Sequence, residues 1–266
     1  MSMRTRYFAG VTGASISRVL KGAGGKRPPA EIPQRKSSEN QAVPNLEIGR
    51  GALLGLIISD IRNPFFPEIT ASFQDQDLLH NMEALVLNTN YDARRALDSV
   101  KRLIELQVPA LAILTSQIEP RVIDMLAESG VAGVYLDLGR VDKRISSVVL
   151  DYEQGIAEAL EHLTSLGHRQ IAYISGPADL HSAKLRKKVF LECAARRGID
   201  SSMMVDSDFT VKGGYYATSR LLEMRAPTAI VCGNDLTAIG VLRRASDGGM
   251  KVPRDLYWRL YMLAWE

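Results

Sequence analysis

The sequence predicts an α/β protein of two doubly wound lobes of parallel sheet, facing each other across a cleft, and three observations carry this expectation. Leu53 to Ile58 is a nearly uninterrupted aliphatic run, the pattern of a strand buried on both faces of a parallel sheet. A polar turn and a helix start follow at once, and Pro64 suits a first helical turn because it has no N–H to leave unpaired. Beyond Phe66, helix-period and strand-length apolar segments alternate regularly to about residue 246. Repeated βα units of this length imply parallel strands joined by right-handed crossovers.

The elements follow in order. Ile69, Phe73 and residues 77–79 belong to a helix, 84–87 to a strand, and 93–106 to a helix with apolar residues at 97, 100, 103 and 104. A strand at 110–114, a helix at 118–129 closed by Gly130 and a strand at 131–136 complete the first series, with a further strand at 145–150. A second series reads as helix 152–166, strand 170–175, helix 182–197, a poor strand near 203–206, helix 213–224, strand 228–232 and helix 235–246. Residues 257–266 are apolar and aromatic enough for one more strand. Phe65 and Phe66 stand at the first turn. Two adjacent rings cannot both enter one core from a helix start, so one is expected to face the cleft; the alternative is that both cap the sheet.

Composition bounds the class. With 266 residues the chain can bury a large core, and 46% hydrophobic with 24% charged residues is ordinary for a globular protein. No segment approaches the ~18 consecutive apolar residues of a membrane span, and the N-terminus lacks the apolar stretch of a signal peptide, so a soluble, cytoplasmic protein without membrane contact is expected. Cys193 and Cys232 are far apart in apolar segments, which fits reduced, buried thiols. Charge is unevenly spread. Residues 1–50 hold nine Lys/Arg against three acids, or +6, whereas the remainder holds 24 against 27, or −3. A basic segment ahead of a slightly acidic body suggests a module for a polyanion joined to one for something else; a solvated basic tail is the other reading.

Within the basic segment only 10–21 is strongly patterned. Thr12 can cap a helix, and Ile16, Val19 and Leu20 form one apolar stripe, leaving Gly13, Ala14, Ser17, Arg18 and Lys21 on the outer face. Such a helix can enter a major groove, where arginine pairs with guanine and hydroxyls hold phosphates. From the pattern alone, a short surface helix is the other reading.

The motif AGVTGASISRVLKG at 9–22 resembles the turn and recognition helix of the LacI/GalR family of bacterial transcription regulators, whose usual form is AGVSxxTVSRVLNG. The stretch at 53–66 is similar to that family's first core strand, IGLVVPDxxNPFF, and the likeness continues to about residue 256. The resemblance implies an α/β, two-lobed, periplasmic-binding-protein-like core of parallel sheets behind a partial helix-turn-helix headpiece. It puts Gly13 and Ala14 at base-discriminating positions, Arg18 at a base or phosphate contact, and Thr12, Ser15 and Ser17 at backbone contacts.

Two departures from the family pattern stand out. Residues 24–49 contain four prolines and a polar run, the composition of a linker, where the family has a third headpiece helix and a hinge helix. After VPRDL at 252–256 the chain reads YWRLYMLAWE, without the family's GFDD motif. A chain truncated at both ends is therefore expected: an incomplete headpiece at 1–25, a linker at 26–50, an N-lobe at 51–148 and a C-terminally truncated C-lobe at 149–266.

A search for catalysis finds neither a G-x-S-x-G elbow nor a phosphate-cradling glycine loop, and His80, His162, His168 and His181 fall at no metal-ligand spacing, so no enzyme, metal or cofactor is expected. Polar residues at strand ends remain: Ser116, Asp151, Arg186 on the early turns of its helix, and the Asn234-Asp235 pair. Carboxylates and arginine can bridge sugar hydroxyls while Phe65 packs on a ring face; for each residue a helix cap or surface ion pair is the alternative. The resemblance adds weight, because the family's effector contacts fall at Phe65, Phe66, Ser116, Asp151, Arg186, Asn234 and Asp235. Arg186 lies in a motif with Ser182 and Phe190, with Val189 in place of the usual glycine. The expected function is a dimeric DNA-binding repressor whose affinity for operator DNA is set by a sugar or nucleoside bound between the lobes. A ligand-binding or non-functional truncated paralogue without specific DNA binding is the alternative, and a sugar-active enzyme a more distant one.

Overall fold

The structure, a computed structural model, describes residues 52–115, 117–137 and 144–260, with the side chains of Pro120 and of 257–260 excepted. The expected headpiece and linker lie outside the described residues. The first lobe contains β1 (Ala52–Ile58), α1 (Phe65–Leu79), β2 (Met82–Asn88), α2 (Ala93–Glu105), β3 (Ala110–Leu114), α3 (Pro120–Ser129), β4 (Ala132–Leu136) and β5 (Ile145–Val148). The second contains α4 (Tyr152–Ser165), β6 (Ile171–Ser175), α5 (His181–Arg196), β7 (Met204–Asp206), α6 (Val211–Met224), β8 (Ala229–Cys232), α7 (Asp235–Asp247) and β9 (Tyr257–Leu260). Every element expected within the described residues is present. Boundaries differ at the ends, as where the strand expected over 145–150 stops at Val148 and the chain turns toward the second lobe.

Two parallel sheets result, ordered β2-β1-β3-β4-β5 and β7-β6-β8-β9. In each, the chain runs outward to one edge and then returns to the other side of its first strand. The order therefore reverses between β1 and β3 and again between β6 and β8, and ligands of open α/β sheets bind at such points. Register brings the strand ends level: Ile58 pairs with both Asn88 and Leu114. The loops that follow these strands consequently rise from one edge.

Local chemistry explains the elements. β1 buries Leu54 and Leu56 to Ile58, as its aliphatic run requires. Asp92 caps α2 by accepting from the N–H groups of Arg94 and Arg95, and Leu97, Val100 and Leu103 face the sheet. Leu103 lies so close that a Cβ on Gly55 would sit 2.4 Å from its Cδ1, which explains a glycine inside the strand. Gly130 closes α3 in the left-handed conformation, φ 74°. One buried cluster runs from Leu54 and Phe66 through Leu150 and Tyr152 to Ile156, Tyr173 and Phe190, so the segment joining the lobes is part of the core. Cys193 and Cys232 are free and buried, as expected.

Helix α1 carries a conflict that the sequence did not reveal. Asp77 is 5% exposed, and its Oδ2 has no hydrogen-bond partner among the described residues. Burial disfavours the charged form and raises this carboxyl from its ordinary value to about 6. The sign follows from the protonated form being favoured in the folded state. Its stabilising effect is complete below the unfolded value near 4 and is lost as pH rises through about 6. Asp77→Asn should therefore stabilise the protein at pH 7 to 8. The upper limit is about 3 kcal/mol, of which native-state relaxation would leave about 1–2 kcal/mol. Urea unfolding at pH 7.5 and pH 4 checks this: the variant gains at the first and matches the parent at the second.

Candidate functional site

Between the lobes lies a cavity of about 70 Å³, lined from both sheets. Ser59 and Asn63 follow β1, Tyr91 follows β2, and Leu114 and Leu136 end β3 and β4. The second lobe contributes Ser182 and Arg186 from α5, Phe209 from the loop after β7, and Gly233, Asn234 and Asp235 after β8.

Turn chemistry sets the first wall. Asp60 is buried and accepts two hydrogen bonds from the Arg62 guanidinium, Nε and Nη2, each at 2.9 Å. The Asn63 side chain accepts from the Phe65 N–H at 3.1 Å, which starts α1 where the proline pattern placed it. Phe65 and Phe66 meet edge to face, centroids 5.1 Å apart, and both line the cavity. Phe66 is also core, at 6% exposure, and Phe65 packs more loosely against the same cluster. Both rings thus line the cavity and pack against one core cluster, whereas the sequence reading expected only one to face the cleft.

Arg186 is the organising cation of the second wall. Its Nη1 donates to the Gly233 carbonyl at 2.6 Å, and its guanidinium carbon lies 5.1 Å from the Tyr152 ring centroid and 5.7 Å from that of Phe209. The rings and carbonyl fix its plane, which suits directional hydrogen bonding to a polar ligand. Val189, where the motif it resembles has glycine, leaves α5 continuous and packs against the core, while Phe190 stacks on Tyr173 with centroids 4.5 Å apart. Tyr152 donates a hydrogen bond from its hydroxyl to Asp137, whose carboxylate also accepts from the Leu150 N–H. Burial pushes the Tyr152 hydroxyl up to about 12, so it remains a donor at neutral pH.

Asp235 is half-buried at the start of α7. Desolvation raises its carboxyl above the ordinary range, opposed by its own backbone N–H and by the Arg186 charge. Its neighbour Asn234 acts structurally: it accepts from the Thr237 N–H at 2.9 Å and donates from Nδ2 to the Phe209 carbonyl at 3.0 Å. Phe209 in turn needs the two nearby glycines. A Cβ on Gly176 would fall 2.0 Å from the Phe209 ring, and one on Gly233 would fall 3.0 Å from it.

Of the residues expected to touch a ligand, Phe65, Phe66, Arg186, Asn234 and Asp235 come together at the cavity. Asp151 does not line it. Asp151 is exposed and accepts from the Gln154 N–H at 2.8 Å as the cap of α4, and Tyr152 beside it packs against the Arg186 guanidinium behind the cavity wall. Ser116 and the expected DNA contacts Thr12, Gly13, Ala14, Ser15, Ser17, Arg18 and Lys21 lie outside the described residues. Sequence reasoning missed Ser59, Asn63, Tyr91, Asp137, Tyr152 and Phe209. Most follow strand ends, and the glycines packed under Phe209 were the available signal for that ring.

A model of the periplasmic binding protein-like domain matches residues 160–257. Catabolite control protein A of Priestia megaterium is 28% identical over 259 residues, covering 93% of this chain and 78% of the relative. A LacI transcriptional regulator from a Rhodococcus species superposes with TM-score 0.69 at 28% identity, covering 77% of this chain and 76% of that one. A dimeric Lac repressor with an 11-residue C-terminal deletion superposes with TM-score 0.68 at 25% identity, over 77% and 76% of the two chains. The chain spans about three quarters of the length of each.

Proposed function

We propose, from the premise that this chain is a LacI/GalR-type transcriptional regulator, that a sugar or nucleoside effector binds between the lobes and sets the affinity of a repressor for operator DNA. The observation that carries the reading is the meeting of Phe65, Phe66, Arg186 and Asp235 in one cleft at the carboxyl ends of two sheets. Aromatic faces take the apolar side of a ring, while a fixed guanidinium and a carboxylate take its hydroxyls. A ligand bridging the two walls changes how the lobes are held relative to each other, and a headpiece attached to the first lobe would transmit this. In this reading residues 1–25 contact DNA through Thr12, Gly13, Ala14, Ser15, Ser17, Arg18 and Lys21, residues 26–50 link, residues 51–148 and 149–266 are the lobes, and Ser116 serves the cleft's rim.

The partner is a second copy of the chain. Leu78 and Leu79 at the end of α1 are 73% and 74% exposed, which supports an apolar contact between copies, and the Lac repressor compared above is dimeric. The protein acts in the cytoplasm as a binding protein, not an enzyme; among the described residues no helix is long and apolar enough to cross a membrane.

Thermal unfolding of the purified protein with a panel of sugars and nucleosides tests the effector. One compound at about 100 times its Kd should stabilise the fold by about 2.7 kcal/mol, and no shift with any of them would remove the effector reading. Mobility shift with a palindromic operator tests the other half, with salt-sensitive specific binding expected.

A further inference from the structure

Tyr91 and Phe209 share a rare backbone. Both have positive φ, 59° and 61°, in the left-handed region that disfavours bulky side chains. They stand on opposite lobes, after β2 and after β7, yet their ring centroids are 6.2 Å apart at an interplanar angle of 42°. Each is held in place by its surroundings. The Tyr91 N–H donates to the Ser59 carbonyl at 3.3 Å, and the Phe209 carbonyl accepts from Asn234. Strained residues that the fold over-determines collect at clamps and switch regions. Tyr91 also packs against a small buried cluster of Leu180, Ala183 and Phe209, all from the second lobe. A first-lobe ring thus completes a second-lobe core.

We propose that Tyr91 is a clasp, by which the first lobe grips the second across the cleft before any ligand arrives. Opening the lobes withdraws the ring from Phe209 and exposes the apolar cluster beneath it. Ring contact and burial therefore favour the closed arrangement, and the left-handed backbone aims the ring at its seat. The clasp is a property of the unliganded protein, so its test does not depend on what the cleft binds.

Double electron–electron resonance between nitroxides on Asp98→Cys and Arg220→Cys, exposed positions on α2 and α6, reads the lobe separation without ligand. The two native thiols are buried and stay unlabelled. With Tyr91 present, the distribution should be dominated by one short distance. Tyr91→Asn removes the ring but tolerates the backbone, and it should move population to a longer distance, lowering the closed-to-open ratio about fivefold, the scale of one aromatic pair. Tyr91→Phe keeps the ring and should keep the short distance. The clasp is overturned if Tyr91→Asn leaves the distribution unchanged, if the parent already sits at the long distance, or if Tyr91→Phe behaves like Tyr91→Asn. Should Tyr91→Asn fail to fold, Tyr91→Leu carries the same readout.

Discussion

Replacing Gly240 by alanine is expected to destabilise the second lobe by about 3 kcal/mol or more, although alanine is the better helix former. Helices α6 and α7 approach through their glycines. A Cβ on Gly240 would lie 2.2 Å from the Val211 carbonyl oxygen and 2.6 Å from the Tyr215 nitrogen, and one on Gly214 would lie 2.3 Å from the Thr237 carbonyl oxygen. These neighbours are backbone atoms and cannot turn aside as a side chain would. The propensity gain of about 1 kcal/mol is outweighed by overpacking, which costs up to about 3 kcal/mol where local shifts suffice and more where two helices must separate. The melting temperature should fall by about 5–10 °C for a chain of this size. Calorimetry of the variant decides the matter, and an unchanged or raised midpoint would mean that α6 and α7 do not pack this closely.

Arg186→Met is expected to weaken effector binding about 100-fold while leaving the protein folded. Methionine keeps the length and apolar stem, so the contacts with Tyr152 and Phe209 are largely retained, whereas the charge and donors are lost. A hydrogen bond to a charged group contributes about 1.5–3 kcal/mol, which is on the order of a 10- to 150-fold change in affinity. The Gly233 carbonyl loses its donor as well, at a cost of about 1 kcal/mol in stability. A second consequence concerns pH. The Arg186 charge holds the Asp235 carboxyl down against desolvation, so its removal lets that carboxyl rise further. Binding that uses ionised Asp235 should then fail at a higher pH in the variant than in the parent as the solution is acidified. Isothermal titration with whichever sugar or nucleoside raises the parent's melting temperature measures both effects, and unchanged affinity would exclude Arg186 from the contact set.

How much of the site could be read from the chain depended on whether a residue's role is local. Asn234 and Asp235 were legible because an Asn-Asp pair ahead of a helical pattern has a physical reason to be there, and the Asn234 cap is formed. Asp151 was legible as a cap for the same reason, and that is where its side chain is used. Tyr91, Tyr152 and Phe209 carried no such mark. Their roles depend on partners 15 to 118 positions away along the chain, and hydrophobic periodicity does not report which ring will meet which. Asp77 carried no mark of its burial, because a carboxylate within a helical pattern does not reveal which face tertiary packing will cover.

The sequence by itself determined the two-sheet α/β architecture and the order of its elements. Aliphatic runs of strand length, helical stripes and end signals such as Asp92 and Gly130 act within a few residues and need no distant partner. Tertiary structure alone decided the composition of the cleft. It seated Arg186 between two rings, spent Asn234 on the Phe209 loop and brought Tyr91 across from the opposite lobe. Those outcomes follow from parallel register and crossover order, which bring strand ends to one edge and set two such edges face to face.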